Sequence, residues 1–325
     1  MLEFQFSKEE MERVEAARIP KDTLQDRVKG FLPLFSEAHR EIQNSVNKGE
    51  VPQALAILGE CQTAAIELGT MIEEEKGEGH ATVRVLERYC ESIFQLHTRL
   101  SEPSDSAQEE KDSNEVWDEF AAFEDRLADS AEQDLKEKKE VVFVPYKTAF
   151  WETMESMWQR ATEDEETEVY VIPAPYYYKD AYGREKIVEP HYEADYPEDV
   201  TITSFGDYSF EKRHPDMIII QYPYDEYNHG LTIDPFFYGK NLKKYTEQLI
   251  YIPPLVLDEI GPEDGRARET IKYFCNTPGV VHADTVIVQS EQMRQVYVEL
   301  LTEFAGEDTK QIWENKISTT GQTGL

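Results

Sequence analysis

The segment "YPYDEYNHGLTIDPFF", residues 222–237, places Tyr224, Asp225, Tyr227, Asn228, His229 and Asp234 directly behind the apolar run "MIII". A histidine beside a carboxylate can take a proton from a hydroxyl near neutral pH, because its own pKa lies there. In that chemistry His229 is the base, helped by Asp234 or Asp225, and Tyr224 and Asn228 contact the substrate; the plain alternative is a loop histidine facing water. Phe236 and Phe237 would turn inward, since two aromatic side chains bury enough area to anchor a polar loop, leaving Asp225, His229 and Asp234 to face a cleft. Tyr146 and Lys147 follow another apolar run, "EVVFV". A lysine just ahead of a helix can share an anion with the helix N-terminus, or it can be an ordinary exposed lysine. Tyr176, Tyr177 and Tyr178 offer a stacking wall or a cover for a sheet edge. Lys240, Lys243 and Lys244, at i, i+3 and i+4, fall on one side of a helix and would meet a phosphate or pair with nearby carboxylates. Ser290 closes the apolar run "TVIV" and is a further substrate-contact candidate.

These residues need a frame. From Val141 onward, short β-branched runs alternate with helical patterns: "EVVFVPY", "EVYVIPAPYYY", "VTITSF", "DMIIIQYP", "LIYIPPLVL" and "DTVIVQSE" read as strands, and 238–248, 263–274 and 291–304 as helices. Strands alternating with helices make βαβ units and a parallel sheet, which binds ligands at the carboxyl ends of its strands. All the candidate residues above stand behind such strands. Ahead of Val141 the period is helical. Leu55, Leu58, Cys61, Ala65, Leu68 and Ile72 share a face, as do Val85, Leu86, Tyr89, Ile93 and Leu96, with the glycines of "KGEGH" between them. Residues 22–47 and 115–135 add two more helices. The fold class expected is therefore a Rossmann-like α/β domain over 141–317, preceded by an all-α bundle or hairpin over 1–140 and followed by a tail, 318–325.

Composition narrows the partners. The net charge is −33, from 66 Asp and Glu against 33 Lys and Arg, so nucleic acid is not expected as a partner and membrane contact would be peripheral at most. Across 101–140, fifteen acidic residues face five basic ones, which reads as a solvated helix face or a docking surface. Cys61, Cys90 and Cys275 are far apart in sequence and read as small buried hydrophobes in a reducing cytoplasm. The N-terminus lacks a signal-peptide pattern, and no run approaches the length expected of a membrane span. The turn "PYKTAFW" holds no glycine, and neither GxGxxG nor GxxxxGK[ST] occurs, so no NAD or ATP binding is expected. No HExxH, paired CxxC or GxSxG occurs, and no metal or other cofactor is expected.

"VFVPYKTAFWETMESMWQRA", "YVIPAPYY", "RHPDMIII", "YPYDEYN", "PFFYGKNLKKYTEQLIYIP", "ADTVIVQSEQMRQVY" and, in the helical part, "CQTAAIELGT" resemble a bacterial family of CDP-glycerol glycerophosphotransferase-like proteins. The resemblance spans roughly 53–316. It implies a cytoplasmic, two-domain B-type glycosyltransferase fold in which the first Rossmann-like domain receives the acceptor and a C-terminal domain binds the nucleotide donor. "ADTVIVQSE" then looks like the last strand of the first domain, and a donor-binding domain is absent from these 325 residues. The family's Trp-His-Gly motif is also absent, though "NHG" (228–230) lies in a comparable loop, and relatives carry His where this chain has Asp234. The resemblance implies the acceptor-side half of a transferase, inactive alone, for a phosphorylated or polyol/sugar acceptor, with His229 as base and Lys147 or Lys240 near a phosphate. The alternative is a non-catalytic interaction protein that uses its acidic helices.

Overall fold

The computed structural model describes residues 4–101, 107–180, 182, 185–187, 196–261 and 264–319, with 107–116 and 185–187 described by backbone alone. The chain divides into two compact units: Asp22–Glu137, and Met1–Lys21 together with Lys138–Leu325. The first helix, α1 (Lys8–Ala16), therefore belongs with the α/β unit, and the helical unit is shorter than 1–140. The reason is local. Phe4 packs edge-on against Tyr227 at 5.1 Å, and behind α1 the Arg18 guanidinium grips both oxygens of Asp284 at 2.8 and 2.9 Å.

The helical unit holds α2 (Leu24–Lys48), α3 (Val51–Lys76), α4 (Ala81–Ser101) and α5 (Ala107–Asp134). Thr23 caps α2 by accepting the Asp26 N–H, and Gly49 closes it at φ 76°, a left-handed conformation that favours glycine. Leu58, Ala65 and Leu68 of α3 meet Leu86, Ile93 and Leu96 of α4 in one core, joined by Phe120, Phe123 and Leu127 of α5. By length and composition α3 is apolar enough to cross a membrane, contrary to the sequence expectation. Here its apolar stripe is buried in the bundle. A polar thread runs through that core. Glu124 accepts from the Ser36 hydroxyl at 2.5 Å and meets His39 Nδ1 at 2.9 Å, while His39 Nε2 meets the Tyr89 hydroxyl at 2.5 Å. Cys61 and Cys275 are buried and Cys90 is half-buried, all as free thiols.

The α/β unit contains the strands β1 (Lys139–Val144), β2 (Thr167–Val171), β3 (Tyr176–Lys179), β4 (Glu185–Ile187), β5 (Met217–Ile220), β6 (Leu231–Ile233), β7 (Gln248–Tyr251), β8 (Thr285–Val288) and β9 (Ile317–Thr319). Its helices are α6 (Glu152–Glu163), α7 (Phe210–Arg213), α8 (Gly239–Leu242), α9 (Gly265–Cys275), α10 (Pro278–His282), α11 (Glu291–Ala305) and α12 (Lys310–Lys316). The main sheet runs β2-β1-β5-β7-β8-β9, parallel throughout. Both faces are covered, as a parallel sheet requires. Val142, Val144, Ile218 and Ile220 face one core; Val141, Phe143 and Ile219 face the other, under Trp151, Met154 and Trp158. This is the Rossmann-like α/β class.

Three details differ from the sequence pattern. Among the described residues, "VTITSF" pairs through the single bridge Val171↔Ile202. The tyrosines behind β2 form their own strand, in a small antiparallel sheet ordered β4-β3-β6. Ser318 and Thr319 leave the expected tail to complete the edge strand β9 against β8.

Candidate functional site

In a doubly wound sheet the ligand crevice opens where the strand order reverses, outside the carboxyl ends. Here β1 is followed by β2 on one side and later by β5 on the other, so the reversal lies between β1 and β5. Gln221, fully buried at the end of β5, fills the floor of that gap. Its amide donates to the Phe150 carbonyl at 2.8 Å and the Thr153 hydroxyl at 2.7 Å, and accepts the Tyr146 N–H at 3.2 Å. The turn that lacks glycine is thus held by a side-chain amide.

Above this floor stands a ring of tyrosines. The Lys147 ammonium lies 5.2 Å from the centre of the Tyr146 ring, 5.4 Å from Tyr176 and 5.8 Å from Tyr178. Tyr146 also packs on Tyr222 at 5.0 Å, and burial pushes its phenol well above the usual range. Lys147 makes no ion pair with a carboxylate among the described residues. It immediately precedes a short 3₁₀ turn (Thr148–Phe150) and α6, so the positive end of those peptide dipoles faces the same place. The rings reach Lys147 because β3 crosses the end of β1. The Ala174 N–H donates to Pro145 O at 3.1 Å, and Tyr176, Tyr177 and Tyr178 pair with Ile233, Thr232 and Leu231 of β6. Farther along the same edge, a cleft of about 260 Å³ opens between the first turns of α6 and the segments after β7 and β8, bordered by Thr153, Arg160, Leu257 and Gln289.

The opening segment is more ordered than a loop. Phe237 is buried and Phe236 half-buried, packed on Phe205 at 4.8 and 5.0 Å, which is the anchoring expected of them. The polar residues are arranged differently from the expectation. Asp225 does not face a cleft: it is 1% exposed and accepts the Gly239 N–H at 3.0 Å, capping α8. Its backbone sits at φ 43°, strained for a non-glycine residue, and its second oxygen has no hydrogen-bond partner. Burial raises its pKa to about 7 against the pull of the Gly239 N–H. Asn228 builds the turn, accepting from the Gly230 and Leu231 N–H groups at 2.9 and 3.2 Å. Asp234 caps the next turn through the Phe236 N–H at 2.9 Å and lies 3.5 Å from the Tyr177 hydroxyl. His229 is exposed and makes no hydrogen bond or ion pair with a described residue, so no carboxylate among the described residues orients it.

The three lysines do not share a face. The segment 238–248 is α8 followed by a 3₁₀ turn (Lys243–Tyr245), because the chain must enter β7 at Gln248. Lys240 pairs with Glu226. Lys243 is buried at the opposite, amino-terminal edge of the sheet, between Glu15 at 2.9 Å and Asp284 at 2.8 Å. Lys244 reaches Asn241 at 3.4 Å. Ser290 caps α11, accepting the Met293 N–H at 3.1 Å and donating to Glu259 at 2.9 Å. Of the sequence candidates, Tyr146 and Lys147 come together at the reversal point, and Tyr224 lines a separate cavity. Gln221 was not among them. A buried amide directly behind an apolar strand is the signal that marks it.

Comparison of the chain with protein-family models, with curated proteins and with solved structures finds no match in any of the three.

Proposed function

We propose that the α/β unit binds a phosphorylated polyol or sugar over Tyr146, Lys147, Tyr176 and Tyr178, as the acceptor-side half of a glycerophosphotransferase-like or glycosyltransferase-like enzyme whose donor is presented by a separate domain. The supporting observation is the Lys147 ammonium, held by three aromatic rings with no carboxylate partner among the described residues, at the carboxyl edge of the sheet beside the strand reversal. Each cation–π contact is worth about 0.5–1 kcal/mol at a partly exposed site. One unit of phosphate charge at roughly 4 Å gains about 4 kcal/mol at an effective dielectric near 20. An anion therefore outbids the rings for the ammonium, and the vacated ring faces can stack on a polyol. Binding of sn-glycerol 3-phosphate, followed by calorimetry at low salt, tests this. Lys147→Met should weaken it at least about tenfold, the equivalent of 1.4 kcal/mol, and glycerol should bind far more weakly than its phosphate. Equal affinity for the wild type and Lys147→Met would refute it.

A non-catalytic binding role is favoured by one feature: no carboxylate among the described residues orients His229, and general-base catalysis depends on geometry first. Turnover of CDP-glycerol by this chain together with any donor-binding domain, lost in His229→Ala, would exclude that second reading.

A further inference from the structure

We propose, resting on Lys147 as the phosphate contact above, that the same site selects a phosphorylated sugar that also carries a cationic amine. The amine would take the seat among the tyrosine rings that the lysine ammonium leaves when it turns to the phosphate. Tyr146, Tyr176 and Tyr178 converge on that seat, their ring centres 5.2, 5.4 and 5.8 Å from Lys147 Nζ. The planes of Tyr146 and Tyr176 meet at 73°, and those of Tyr176 and Tyr178 at 87°. The rings are thus the walls of a box, not a stack.

The strand period builds it. Residues two apart on a strand face the same way. Tyr176 and Tyr178 therefore both present rings to Lys147, while the Tyr177 hydroxyl between them lies 3.5 Å from the Asp234 carboxylate. Backbone pairing of β3 with β4 on one side and β6 on the other fixes two walls. Tyr146, the third, packs on Tyr222 at 5.0 Å and on Phe150 at 5.9 Å. The walls are set before a ligand arrives, so little ordering cost falls on binding.

Near-perpendicular rings suit a compact cation. A sugar face can stack on one ring, but not on two planes at right angles at once. A cation is attracted by every ring face that it lies over, because each face carries the negative part of the ring quadrupole. Once a phosphate draws the Lys147 ammonium away, the rings lose their cation, and a second ammonium restores the contacts that a hydroxyl cannot. Lys147 reaches both positions from one backbone attachment, so phosphate and amine must sit close together on one small molecule, as they do on a hexosamine phosphate. Net charge points the same way. The chain carries −33, and an amine offsets part of the like charge that a phosphate alone would bring into that field.

The test uses the full chain and probes that differ by one group: glucosamine 6-phosphate; glucose 6-phosphate, with a hydroxyl in place of the amine; and N-acetylglucosamine 6-phosphate, whose nitrogen is uncharged. Calorimetry at low salt and pH 7 should show glucosamine 6-phosphate bound about 5–10-fold more tightly than either of the others. Tyr178→Leu removes the wall that is 46% exposed and should reduce that preference about 2–3-fold. Should this variant fail to fold, the wild-type comparison decides alone. Lys147→Ala empties the box. Ligand-observed NMR should then show free glucosamine, which has no phosphate, binding this variant about threefold or more tightly than the wild type; a lysine that served the phosphate alone would give no such gain. Equal affinity for the three phosphates, with all of them bound, overturns the amine box and leaves the phosphate reading standing; failure of all three to bind overturns both. A preference that Tyr178→Leu leaves intact, or no gain of glucosamine in Lys147→Ala, also overturns the box.

Discussion

Lys316 offers the sharpest check on the buried electrostatics. Its side chain is 8% exposed, its ammonium donates to the Val281 carbonyl, and it lies 5.6 Å from the Trp313 ring centre. Burial lowers its pKa from 10.5 to about 7, with the nearby Lys243 acting in the same direction. Between pH 7 and 10.5 the unfolded chain therefore holds a proton that the folded chain has released. Stability depends on pH as the protons bound unfolded minus those bound folded, so it rises with pH across that window. One proton is worth about 1.4 kcal/mol per pH unit. Since the folded group is half-titrated at pH 7, the gain from pH 7 to pH 9 comes to about 2 kcal/mol. Lys316→Met keeps the length and removes the proton. Urea unfolding at pH 7, 8 and 9, followed by tryptophan fluorescence, should show the wild type gaining this amount on the variant. The tyrosines, thiols and terminus that titrate in both proteins cancel in the difference. Parallel pH profiles for the two proteins would refute the buried, depressed ammonium.

Gly279→Ala places a Cβ 3.0 Å from Pro223 Cα and 3.1 Å from the Tyr222 carbonyl, both backbone atoms, and should lower stability by about 1–3 kcal/mol in a thermal melt. Gln221→Leu leaves Phe150 O, Tyr146 N–H and the Thr153 hydroxyl without their amide; a loss of about 3 kcal/mol in urea unfolding is expected, with weaker sn-glycerol 3-phosphate binding. Tyr89→Phe strips His39 Nε2 of its partner inside the helical unit and should cost about 1–2 kcal/mol in that unit's unfolding transition.

The helical unit and the main strands were legible because periodicity is a statement about burial. Leu58, Ala65 and Leu68 had to share a face, and Ile218, Ile219 and Ile220 had to be buried on both sides. Strand pairing at long range was not legible. Tyr176–Lys179 and Leu231–Ile233 are individually short and lie more than 50 residues apart, and pairing in the small sheet, not local pattern, makes them strands. The same limit hid the fate of the polar side chains. His229 and Asp234 are close in sequence, but turn capping claims the Asp234 carboxylate. Lys240, Lys243 and Lys244 fit a helical spacing, but the chain abandons the helix at Leu242, and an aspartate 41 residues beyond Lys243 claims its ammonium. Local spacing shows where a side chain can go; competition among partners decides where it goes. Lys147 stands directly behind β1, and its described neighbours offer rings and no carboxylate.

The small sheet would set how a ligand of the proposed Lys147 site enters and leaves. β3 follows β2 and β6 follows β5, so their ladder ties together the two segments that flank the end of β1. It acts as a strut across the gap. Parting β1 from β5 to admit a molecule would first break the hydrogen bonds joining Tyr176–Tyr178 to Leu231–Ile233, so a hinge opening of the backbone is resisted at the place where a lid would be useful. Access is left to side-chain rotation by Lys147 and the half-exposed Tyr178, which takes picoseconds to nanoseconds rather than the microseconds to milliseconds of a domain hinge. Free and bound backbones should then superimpose at this edge, and association should run at a rate set by diffusion and charge rather than by gating.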